Sequence, residues 1–240
     1  MEHKKGKPGA KPPRAATARR DREPRPRPRT ANRDRGPLPG VRPPGDPYLL
    51  RSLTVPYAGQ VISVERKAMR LPNGYEAVHE NIRHPQAVGI IPVLEERPGH
   101  PELILVEQFR SSVGGFIHEI PAGTLAKDED PLDCARRELL EETGYEAARW
   151  SHLATLYPMP GLAAERIHYF VAEGLTWRRE LELDPGECLQ VRRLPLEGLL
   201  RSMLHGESVP GVPAIVDGKT FIAVYYLGAR RAGRAQGEIS

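Results

Sequence analysis

The chain has 240 residues, 35 Lys and Arg against 31 Asp and Glu, and a formal charge of +4 that hides an uneven division. Residues 1–45 carry 14 basic and 4 acidic side chains, so 14 − 4 = +10, which leaves 21 − 27 = −6 for everything after them. Two cysteines, Cys134 and Cys188, exclude a multi-bridge disulfide scaffold, and no run reaches the roughly 18 apolar residues of a membrane span.

Residues 1–45 also hold 10 of the 25 prolines and almost no large apolar side chains. Such a stretch cannot bury enough surface to offset the entropy of ordering it, which predicts a disordered basic tail. A tail of this charge suits weak nucleic-acid contact, or is simply a solvated arm with no partner; the residues leave both readings open. It lacks the apolar core of a secretory signal, so a cytoplasmic protein with reduced thiols and no membrane association is expected.

From Tyr48 onward the pattern becomes that of a folded domain rich in strands. "YLLRSLTV", "GQVISVERKAMRL" and "GYEAVHENIRH" are short alternating segments, and the Asn73-Gly74 pair between the last two signals a hairpin. "AVGIIPVLEE" and "PELILVEQF" are almost continuously apolar, as befits strands covered on both faces. The clearest helix lies between Asp130 and Thr143. Asp130 suits the N-cap, Pro131 the first helical position and Gly144 a left-handed C-cap, while Leu132, Ala135 and Leu139 mark the face turned to the core. Strands are expected around Trp150–Leu156, Ile167–Ala172 and Cys188–Leu194, helices at Leu196–Leu204 and Thr220–Arg230, and a frayed end over 231–240.

The helix at 130–143 poses a physical problem. Measured from Glu138, Glu141 lies about 60° to one side and Glu142 about 40° to the other, so three carboxylates share a narrow sector. Like charges at this spacing cost a few tenths of a kcal/mol. Either Arg136 and Arg137 compensate on a solvated face, or the three side chains gather a cation.

The surrounding spacing narrows this choice. Gly123, five residues, Glu129, seven residues, then Arg137, Glu138, Leu139, any residue, Glu141, Glu142, any residue, Gly144 and Tyr145 resembles the Nudix box at every specified position. That resemblance implies an α/β/α sandwich with a mixed sheet over 85–230, preceded by an N-terminal antiparallel sheet over 46–84. It also implies a Mg²⁺-dependent hydrolase, with Mn²⁺ as the other candidate ion, acting on a diphosphate attached to a second moiety. By the same resemblance Glu138, Glu142, Glu141 and the Ala122 carbonyl hold the metal, Arg137 orients the glutamates, and Glu129 is a supporting acid.

"EQFR", "GGFIHEIPAG" and "PMPGLAAERIHYFVA", with Pro160 sixteen residues after Gly144, look like the ADP-ribose pyrophosphatase branch. The substrate implied is a nucleoside diphosphate sugar, with Arg110, Glu119, Glu165 and Tyr75 as substrate-contacting candidates. The catalytic base implied is an acid on a loop before the following strand, which selects Glu187 over Glu182 and Asp184. A homodimer is implied as well; His79 stands before Glu80 where relatives carry Arg, which weakens the case for a phosphate contact from a second subunit. Other diphosphate substrates (a dinucleoside polyphosphate, FAD, a capped RNA end) and a non-catalytic nucleotide-binding role are the alternatives.

Overall fold

The computed structural model describes residues 49–181, 183 and 188–237. The tail at 1–45, the acids Glu182, Asp184 and Glu187, and residues 238–240 lie outside the described residues.

Strands β1 (Leu49–Ala58), β2 (Ser63–Arg70) and β3 (Glu76–Arg83) form an antiparallel sheet in the order β1-β2-β3. The β2–β3 hairpin closes where the Asn-Gly pair predicts. Leu71 N–H donates to the Tyr75 carbonyl at 2.8 Å and Gly74 N–H to the Leu71 carbonyl at 2.9 Å, with Gly74 at φ 82°. Pro56, which has no N–H for the ladder, lies within a register shift between Thr54 and Tyr57.

The second sheet contains β4 (Ala87–Leu94), β5 (Glu102–Arg110), β6 (Gly115–Glu119), β7 (Ala122–Thr124), β8 (Tyr145–Leu156), β9 (Ile167–Trp177) and β10 (Leu189–Pro195). Its order is β10-β5-β4-β9-β8, with β6 paired to β5 and β7 to β4. The β4–β9 pair is parallel and the others are antiparallel, so the sheet is mixed.

Helix α1 (Pro131–Thr143) covers one face, where Cys134, Ala135 and Leu139 pack on Val88, Ile90, Phe170 and Ala172. Helices α2 (Leu196–His205) and α3 (Gly218–Gly237) cover the other, where Leu199, Val224 and Leu227 pack on Ile91, Leu103, Leu105 and Val171. Alternate residues of β4 thus enter different cores, which is why its sequence reads as unbroken apolar. The expected three-layer α/β/α arrangement with a mixed sheet and a separate antiparallel sheet is what the chain forms.

Two boundaries differ from expectation. Strand β8 starts at Tyr145 rather than near Trp150, because Tyr145 pairs with Trp177 in a two-strand extension that depends on a partner strand about 30 residues away. Helix α3 runs on to Gly237, beyond the Arg230 end expected for it. Among the described residues no helix is long and apolar enough to cross a membrane.

Candidate functional site

The phase of α1 is set by its ends. Asp130 takes extended backbone angles and its Oδ1 accepts the Leu132 N–H at 2.8 Å, while Gly144, at φ 75°, returns its N–H to the Leu140 carbonyl at 3.0 Å. With both ends pinned, Glu138 and Glu142 point toward the short segment that begins with β7, while Glu141 meets Arg137.

Glu142 is only 5% exposed, and its Oε2 accepts the Ala122 N–H at 3.1 Å. Glu138 lies across Gly123 so closely that a Cβ at 123 would stand 1.9 Å from its carboxyl carbon. Glycine at 123 is therefore required by the glutamate rather than by the backbone. Glu141 is the more open of the three, with its side chain 35% exposed.

Arg137 binds this set together. Its Nε and Nη2 donate to the two oxygens of Glu129 at 3.0 and 3.1 Å, and its Nη1 donates to Glu138 Oε1 at 2.8 Å and Glu141 Oε2 at 3.1 Å. Glu129 also accepts the Ala126 N–H at 2.7 Å. Burial alone would raise the Glu129 pKa, but the Arg137 hydrogen bonds and that N–H together hold it below the ordinary value. Compensation by arginine is thus a real part of the arrangement for Glu138 and Glu141. Among the described residues, no group of three or more His, Cys, Asp or Glu is gathered closely enough to hold a metal by itself.

Beside these carboxylates stands a second ionic cluster. Glu119 is almost fully buried at the end of β6 and accepts Arg110 Nε on Oε1 at 2.5 Å and Arg110 Nη2 on Oε2 at 3.0 Å. Lys219 Nζ donates to the same Oε2 at 2.9 Å and to Asp217 Oδ1 at 2.8 Å. Asp217 Oδ2 accepts both the N–H and the hydroxyl of Thr220, whose Oγ1 in turn accepts the buried Ile120 N–H at 2.8 Å. Burial opposes charge on Glu119 and on Lys219, yet the opposite charges win: the carboxyl is held below its usual range and the ammonium above its own. The hydrogen bond to Glu119, with smaller contributions from the charges of Glu142 and Asp217, raises the Arg110 pKa above its ordinary value.

The sequence-derived candidates therefore divide. Ala122, Arg137, Glu138, Glu141, Glu142, Arg110 and Glu119 come together where β5, β6 and β7 meet α1. Glu165 instead faces His84, with Oε1 3.2 Å from Nδ1, and its side chain is largely buried. Tyr75 lies in the β2–β3 turn of the other sheet, 66% exposed. Glu187 lies outside the described residues. Asp217, Lys219 and Thr220 were missed by sequence reasoning; the acid three positions before Thr220 is a helix-start signal, but its partner Glu119 is 100 residues away.

Comparison with known proteins adds four findings. Residues 83–214 match the family model described as NUDIX domain. The chain is 38% identical over 181 residues, 75% of this chain and 92% of the other, to the ADP-ribose pyrophosphatase of Bacillus subtilis (strain 168). It is also 37% identical over 177 residues to the Methanol dehydrogenase activator of Bacillus methanolicus, covering 73% of this chain and 90% of the other. Its fold superposes on a crystal structure described as an ADP compounds hydrolase with a TM-score of 0.65 at 22% identity, covering 78% of this chain and 95% of that one.

Proposed function

Because the chain belongs to the NUDIX domain family and is a hydrolase of the nucleoside diphosphate sugar type, we propose that it splits the pyrophosphate bond of ADP-ribose in a reaction that needs a divalent cation. The products are AMP and ribose 5-phosphate. The observation that carries this reading is the placement of Glu138 across Gly123 and of Glu142 on the Ala122 N–H, with Glu141 tied to Glu138 through Arg137.

The donor chemistry fits Mg²⁺, with Mn²⁺ as the second candidate: carboxylate and carbonyl oxygens are hard ligands. Magnesium keeps several waters and takes one or two carboxylates plus substrate phosphate oxygens, so a closed cage of three protein ligands is not required of it. Glu138, Glu142, Glu141 and the Ala122 carbonyl would hold it, and when bound it would neutralise the diphosphate and lower the pKa of a coordinated water.

The remaining work falls to the chain's own side chains. Arg137 orients Glu138 and Glu141 through charge-assisted bonds. Arg110, fixed on one edge by Glu119, presents its other N–H donors to the diphosphate; a guanidinium has five and two are spent on Glu119. Glu187 is assigned the water-activating base and Tyr75 an adenine-stacking platform. Glu165 meets His84 through Oε1, and its second oxygen is assigned to a substrate hydroxyl. Homodimerisation is supported by the exposed Leu50, Leu53, Val55 and Tyr57 of β1.

The test is chromatography of products from ADP-ribose and Mg²⁺. AMP and ribose 5-phosphate are expected from the wild type and neither from Glu142→Gln, whose amide oxygen still accepts the Ala122 N–H and preserves the fold. Full activity in that variant would remove the assignment.

A further inference from the structure

Four charged groups, Arg110, Glu119, Lys219 and Asp217, form a neutral quartet that links the first turn of α3 to the strand end before the Ala122–Gly123 segment. Their exposure is unequal. The Glu119, Asp217 and Lys219 side chains are 2%, 11% and 21% exposed, whereas that of Arg110 is 40% exposed. The quartet thus has one outward member, Arg110.

The geometry shows a competition at a single atom. Glu119 Oε2 accepts Arg110 Nη2 at 3.0 Å and Lys219 Nζ at 2.9 Å, while among the described residues Oε1 is held by Arg110 Nε alone. A carboxylate oxygen divided between two cations holds each less firmly than one that serves a single cation. If Lys219 is removed, Oε2 closes onto the guanidinium and a buried acid is left, among the described residues, with Arg110 as its only counter-charge. Arg110 would then be held more tightly against Glu119 and be less able to turn toward an incoming diphosphate.

We propose that Lys219 is a positioning residue that, by sharing Glu119 with Arg110, keeps the Arg110 guanidinium available to the substrate diphosphate. Asp217 holds Lys219 in place and caps α3 through Thr220, so the start of the C-terminal helix tunes an arginine on the opposite side of Glu119. The role assigned to Lys219 rests on the diphosphate-hydrolase reading above.

The experiment uses full-length Lys219→Met, with Lys219→Gln as a second variant should the first not fold and Lys219→Arg as the conservative rescue. Two quantities are read. Hydrogen exchange of the Arg110 Nε–H, assigned by comparison with Arg110→Lys, is followed by NMR in ligand-free protein; kcat and KM for ADP-ribose are measured with Mg²⁺. Slower exchange, a KM raised about tenfold with kcat within about twofold of wild type, and recovery of both in Lys219→Arg are expected. A lysine that only docks α3 would lower Tm and leave exchange and KM where they were, and that result overturns the proposal. A wild-type protein inert toward ADP-ribose would refute the substrate reading, while the exchange rate would still decide for or against Lys219.

Discussion

Gly123→Ala separates stability from catalysis more cleanly than replacing any glutamate. A Cβ at 123 would lie 1.9 Å from the Glu138 carboxyl carbon, 2.0 Å from its Oε1 and 2.4 Å from its Cγ, contacts that do not exist in real proteins. All three atoms belong to one flexible side chain, so the clash is relieved by turning Glu138 aside rather than by moving backbone. An off-rotamer side chain costs on the order of 0.5–1.5 kcal/mol. Losing the 2.8 Å bond from Arg137 to Glu138, a pair whose side chains are 37% and 13% exposed, adds on the order of 1 kcal/mol. Together these lower Tm by only about 3–10 °C in a domain of this size. Activity responds differently, because a 1 Å misplacement of a positioning group costs on the order of a hundredfold. Differential scanning calorimetry and steady-state hydrolysis of ADP-ribose on the same preparations check both halves. Wild-type kcat in Gly123→Ala would refute the claim that Glu138 must occupy its place across residue 123.

Three further outcomes are expected. Arg137→Lys keeps one positive charge but cannot bridge Glu129, Glu138 and Glu141 at once, so kcat should fall on the order of a hundredfold with modest loss of Tm; equal kinetics would deny Arg137 an orienting role. His84 has its pKa raised above 6.5, chiefly by the hydrogen bond to Glu165. A raised folded-state value means that the pair's contribution to stability is fully present below pH 6.5 and is lost as pH rises through the raised value. The Tm difference between wild type and His84→Gln should therefore be largest near or below pH 6.5 and shrink toward alkaline pH; a difference independent of pH would contradict the ion pair. Asp217→Ala removes the acid that holds Lys219 and caps α3, and should lower Tm by several degrees in thermal unfolding. An unchanged Tm would mean that the cap contributes nothing.

What the sequence made legible was what is local. Asp130, Pro131 and Gly144 define α1 by short-range hydrogen bonding, so its span and the phase of its glutamates follow from a few neighbouring residues. The apolar run of β4 identified a strand between two helical layers for the same reason. Ion pairs between distant segments were not legible, because no periodicity records them: Glu119 with Lys219, and Glu165 with His84, join segments 100 and 81 residues apart (219 − 119 and 165 − 84). Arg137 was half legible. Its spacing to Glu141 suggests an i, i+4 pair, but its two bonds to Glu129 depend on how the loop before α1 returns to the helix.

The central claim is that the Glu138, Glu141 and Glu142 carboxylates take up a divalent cation, and isothermal titration of metal-stripped protein with Mn²⁺ and Mg²⁺ tests it most directly, in the presence and absence of AMP. Saturable uptake in the wild type that disappears in the double variant Glu138→Gln, Glu142→Gln is the predicted result. Heat no greater than dilution in the wild type, with or without nucleotide, would contradict it.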